Sequence, residues 1–153
     1  FIGGVSAPPA IYRRVKVADI TTSTTIIDNT HECVFAFQYQ YVDGGNESAV
    51  SKIDVSALVA SADGATCTGL KIIECHWVLS GMTVQVLADA DTDIIVMHLA
   101  EDQQGYQSFE RFGGLPNTAS YGANGTGDIK FTTTGAGAAG DAYQVIIRAV
   151  KKY

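Results

Sequence analysis

Charge, cysteine and long apolar runs are all scarce in this 153-residue chain. Charged residues make up 17%, against about 25% in an ordinary soluble domain. That shortage suits a subunit whose surface is partly covered by neighbours. The net charge is −6, so the basic face that phosphate binding needs is missing, and nucleic acid is not expected as a partner. No stretch approaches the roughly 20 apolar residues of a membrane span, so a membrane partner is not expected either. The first ten residues, FIGGVSAPPA, are too short and too uncharged for a signal peptide. The three cysteines, Cys33, Cys67 and Cys75, are too few for a disulfide framework and show no Cys-x-x-Cys spacing. They read as small buried hydrophobes, with a single bridge left open.

Catalytic and ligand-binding signatures are lacking as well. There is no G-x-S-x-G elbow, no phosphate loop and no dinucleotide fingerprint. Asp89, Asp91 and Asp93 resemble the start of a calcium loop. The sixth and twelfth positions, however, hold Ile94 and Ala100 instead of glycine and a bidentate glutamate. His31 and Cys33 sit two apart and should share a strand face, while Cys75 and His76 should face opposite ways. Neither arrangement supplies the four converging ligands of a zinc site. Glu74 and Glu110 form a carboxylate pair only if the fold brings them together. The triplets Asn46-Glu47-Ser48 and Asn124-Gly125-Thr126 fit the glycosylation pattern, which arises easily by chance. The chain is therefore expected not to be an enzyme, and no catalytic, cofactor-binding or metal-binding residue is assigned.

What the chain does have is apolar–polar alternation. In CVFAFQYQY, Cys33, Phe35, Phe37, Tyr39 and Tyr41 point one way, and Val34, Ala36, Gln38 and Gln40 the other. The aromatic side reads as sandwich core, with Tyr39 and Tyr41 the pair expected nearest the surface. Similar patterning, cut by glycine and aspartate turns, predicts strands over residues 11–20, 26–27, 33–42, 50–59, 70–79, 82–88, 94–99, 106–112, 128–134 and 142–150. Residues 106–112 are open to an irregular reading, and residues 56–62 to one helical turn. Residues 113–127 form a long loop with five glycines. The expectation is an all-β fold, a two-sheet β-sandwich of jelly-roll type with about nine strands. An immunoglobulin-like sandwich ranks second, because its Cys–Trp–Cys spacing is not met around Trp77. Residues 1–9 read as an apolar N-terminal arm and residues 10–153 as a single domain.

The segments LSGMTVQVLADADTD, GYQSFERFGGLPN, GTGDIKFTTTG and AGDAYQVIIRAVKKY, joined by FAFQYQYVDGG and ESAVSKIDVSAL, resemble small virion structural proteins of tailed bacteriophages. These are chiefly phages of marine and freshwater bacteria, including cyanophages. The similarity runs from about Val15 to Tyr153, and is most specific around Ser80-Gly81-Met82 and the Phe112 to Asn117 turn. The resemblance implies a virion component present in many copies, with decoration of the capsid exterior as the first choice. The implied partners are the major capsid protein or other virion proteins, together with further copies of the chain in a trimer or symmetric cluster. A tail, neck or fibre component, or another filament-forming subunit, is the alternative. A lectin-like module reading glycans through residues 113–127 and exposed tyrosines is a further one.

Overall fold

The computed structural model describes residues 15–153. The arm assigned to residues 1–9, and residues 11–14 of the first expected strand, lie outside them. Among the described residues nine strands form two antiparallel sheets. They are β1 (Ile20–Asp28), β2 (Glu32–Gln40), β3 (Val50–Ile53), β4 (Gly69–Ser80), β5 (Thr83–Ala88), β6 (Ile94–Leu99), β7 (Gln104–Ser108), β8 (Ile129–Thr134) and β9 (Ala142–Lys152). One sheet has the order β1-β2-β9-β4-β7 and the other β3-β8-β5-β6.

This order has a simple origin. β5 pairs with β6, β4 with β7, β3 with β8 and β2 with β9, each antiparallel. The chain is thus one long ribbon folded at the β5–β6 turn. The ribbon rolls up so that β4 meets β9 in one sheet and β5 meets β8 in the other. That is the jelly roll of the sequence expectation, with β1 added outside β2.

Alternation decides which side chains fill the space between the sheets. Cys33, Phe35, Phe37 and Tyr39 of β2 are buried, as are Tyr143, Val145, Ile147 and Ala149 of β9 and Val84 and Val86 of β5. Phe37 meets Phe131 of the opposite sheet edge-on at 5.2 Å, and Phe131 meets Tyr143 at 5.8 Å. Tyr39 stacks on Tyr143 at 5.4 Å. Tyr39 is therefore core, as the aromatic side was expected to be, and of the pair expected nearest the surface Tyr41 alone is half-buried. Its hydroxyl stays satisfied: that of Tyr39 donates to the Asp19 carboxylate (2.6 Å), with the Gly45 carbonyl 2.9 Å away. All three cysteines are buried and free. Burial pushes the Cys33 and Cys75 thiols up to about 12.

Two boundaries differ from the sequence reading. Residues 15–19 are not strand, and the threonine-rich stretch expected as a connection is itself β1, pairing from Ile20↔Gln40 to Asp28↔Cys33. The free edge of β2 offers threonines, which suit a pleated surface, a full ladder of partners. The strand expected over residues 50–59 stops at Ile53. There the Asp54 side chain accepts from the Ser56 amide (3.0 Å) and turns the chain into a short 3-10 helix, Val55–Ala57. Residues 106–112 likewise divide between β7 and a 3-10 turn, Glu110–Phe112.

Candidate functional site

The residues singled out for chemistry are held in structural pairings. Lys130 Nζ lies 2.6 Å from Asp89 and 3.4 Å from Asp93. Asp89 also accepts from Thr126 Oγ1, and Asp91 from Asn124 Nδ2, both at 2.7 Å. The Lys130 ammonium and the Thr126 hydroxyl hold the Asp89 carboxyl below its usual range. The acidic turn is a cross-linked corner. Among the described residues no group of three or more His, Cys, Asp and Glu converges to hold a metal ion. His31 does not share a face with Cys33: it precedes β2 and is exposed, while Cys33 is fully buried. Cys75 and His76 do face opposite ways.

The fold does bring Glu74 and Glu110 together, on either side of Arg148. Their carboxylates lie 3.8 and 3.3 Å from its Nη1, and Nε donates to Glu32 at 2.9 Å. One guanidinium thus gathers three carboxylates from β2, β4 and the turn after β7. Sequence spacing gave no sign of this, because Arg148 is the common neighbour only in the paired sheet.

The glycine-rich segment 113–127 is braced against the sandwich at Leu70. Thr118, 1% exposed, donates to the Gly127 carbonyl (2.7 Å) and accepts from the Leu70 amide (3.0 Å). Tyr121 is half-buried. As a glycan platform this loop lacks an exposed ring.

Two features of the five-stranded sheet stand out instead. The first is its β1 edge. A sheet edge carries unpaired N–H and C=O groups, which proteins blunt with short strands, charges or proline. Three of the four edges are modest. β3 has four residues with a lysine, β7 five with a glycine at the second, and β6 six. β1 has nine, with no charge before Asp28 and no proline. It is exposed along almost its whole length, with Ile20 55% and Ile26 53% exposed. Among the described residues neither face of this strand is packed before Asp28.

The second feature is the outer face. Strand register aligns Thr22, Gln38, Gln144, Val78 and Gln104 in one row across all five strands. The adjacent row is Thr24, Ala36, Ile146, His76 and Tyr106. Two clefts of about 400 and 460 Å³ lie along these rows and share Val78 and Gln144. Among the described residues no Asp, Glu, Lys or Arg lines either cleft. The Tyr106 ring lies 4.4 Å from that of His76, and its hydroxyl donates to Glu74 (2.8 Å), which raises the phenol's pKa. The pattern in β2 foretells Gln38 and Gln40 as outward residues. The alignment of Gln38 with Gln144 and Gln104 depends on register alone.

No protein-family model, curated protein or solved structure matches the chain.

Proposed function

We propose that this chain is a structural subunit of a tailed-bacteriophage particle, a decoration or cement protein on the capsid exterior that works by burying surface between subunits. The observation that carries the reading is the β1 edge, nine residues long and, before Asp28, uncharged and packed on neither face among the described residues. An edge of this kind takes another strand by main-chain hydrogen bonding. A repeat of that contact around a symmetry axis gives a closed cluster. The resemblance to virion structural proteins supplies the particle, and the jelly roll is an architecture shared with many shell proteins. Exposed Val15 and Val17, just before β1, extend the apolar stripe beside the edge.

The test places charge on the edge. Thr21 and Ser23 are exposed β1 residues, so lysines there leave the core intact. Sedimentation of the full chain is expected to give a closed oligomer, and the Thr21→Lys, Ser23→Lys variant a folded monomer. A wild-type chain that remains monomeric, or an oligomer indifferent to both lysines, overturns the edge as the contact. Imaging of labelled particles tests the location. Many copies spread over the shell support decoration, and a few copies on the tail axis support the tail or neck alternative.

A further inference from the structure

We propose that the outer face of the five-stranded sheet is a binding site for a neutral glycan chain, laid across the strands along the glutamine row. Four observations carry it. The row Thr22, Gln38, Gln144, Val78, Gln104 repeats once per strand, at about 4.8 Å, so it extends roughly 19 Å. Gln38, Gln40, Gln104 and Gln144 are all exposed, and none of their amide groups has a hydrogen-bond partner among the described residues. Each amide offers a donor and an acceptor side by side, the pairing that vicinal hydroxyls present in return. Val78 (50% exposed) within this row, with Ile146 and the Tyr106–His76 pair of the next, forms a low apolar platform for the C–H faces of sugar rings.

The fourth observation is the missing charge. Among the described residues no Asp, Glu, Lys or Arg side chain lines either cleft. The row beyond His76 and Tyr106 holds Glu74 and Arg148, with Glu32 two residues further along its strand. A site lined by no lysine or arginine has no fixed positive charge to offset the desolvation of an acidic ligand, so acidic sugars are disfavoured. The same argument separates a glycan from a second copy of the chain. Burying a row of amides under a rigid protein surface leaves donors and acceptors unpaired unless the geometry matches. Sugar hydroxyls rotate to meet them. The Arg148 cluster borders the site and leaves it open towards β1.

The experiment uses the full chain. An array of immobilised neutral and acidic oligosaccharides is probed first. The neutral oligosaccharide bound most strongly is then titrated while backbone amide resonances are followed. Saturable binding is expected, with the largest shifts at Gln38, Val78, Gln104 and Gln144. The Gln38→Ala, Gln144→Ala variant, whose changed side chains are exposed, is expected to lose affinity at least ten-fold. Gln144→Glu, which adds a charge and keeps the length, is expected to lose it similarly. A flat array overturns the proposal. So does equal binding of acidic sugars, shifts centred on residues 113–127, or affinity unchanged in both variants. If the double variant alters sedimentation of the free chain and no sugar binds, the face is an interface between copies and the proposal fails. The Thr21→Lys, Ser23→Lys variant changes the opposite side of β1 and is expected to keep its sugar affinity. Failure of the assembly reading and failure of this one are therefore distinguishable.

Discussion

Asp19 ties the connection after β2 to the strand before it with a single carboxylate. Its Oδ1 accepts from the amides of Val42, Asp43 and Gly44 (2.8, 3.1 and 2.8 Å), and its Oδ2 from Gly45 (3.0 Å) and Tyr39 Oη (2.6 Å). A Cβ on Gly44 would sit 2.5 Å from Asp19 Oδ2, so glycine is required for this approach. Burial opposes ionisation here. The donated bonds from Tyr39, Val42, Gly44 and Gly45 outweigh it and hold the carboxyl well below the usual range. A depressed carboxyl stabilises the fold fully above its ordinary value of about 3.9 and loses that contribution only as pH falls towards the folded value. Asp19→Ala is expected to cost about 2–3 kcal/mol at neutral pH, read as a lower urea midpoint with an unchanged slope. A loss below about 0.5 kcal/mol, within the range of an ordinary surface substitution, counts against the carboxylate as the tie. The sequence placed Asp19 only near the end of the strand expected over residues 11–20. Its role depends on a loop more than twenty residues away.

Among the elements, the loop 113–127 and strand β1 show opposite kinds of legibility. The loop was plain from its glycines, but its rigidity was not. Gly127 has φ +87, and a Cβ there would lie 2.4 Å from the Thr68 carbonyl oxygen, so both its conformation and its space exclude a side chain. Gly127→Ala is expected to destabilise the fold by about 2 kcal/mol or more and to loosen the Thr118 bonds to Gly127 and Leu70. Hydrogen exchange at the Leu70 amide reads this directly. An unaffected Leu70 amide would mean that the loop is not a brace. β1 was legible only at Ile26 and Ile27, because ITTSTTIID has no contrast between its faces. The strand has none because both its faces meet solvent. The feature that hid β1 from the sequence is also the one that marks it as a contact edge.

For the whole molecule, the core sets an alkaline limit. Burial raises Cys33 and Cys75 to about 12, against about 8.5 for a free thiol. Burial, with the Asp19 and Glu47 carboxylates, also raises the Tyr39 and Tyr143 phenols. Between the unfolded and folded values the unfolded chain has released protons that the native protein keeps, so stability falls as pH rises. The two thiols alone account for about 1.4 kcal/mol each per pH unit between roughly pH 9 and 12. Cys75→Ala removes one of these terms and is expected to give a shallower fall in urea stability from pH 8 to 11. An unchanged slope would mean that the Cys75 thiol already titrates in the native state.

The sequence by itself determined most strand positions, the inward and outward residues of each, the turns between them and hence the all-β class. All of these follow from the period of the extended backbone and from local turn chemistry, which a strand carries wherever it lies. Which strands become neighbours is a property of distant contacts. The tertiary structure alone decided the nested pairing of the ribbon, the ion cluster of Glu32, Glu74 and Glu110 on Arg148, and the exposure of β1 as an edge. It also aligned the glutamines in a row, because a register shift of one residue would have turned alternate side chains into the core.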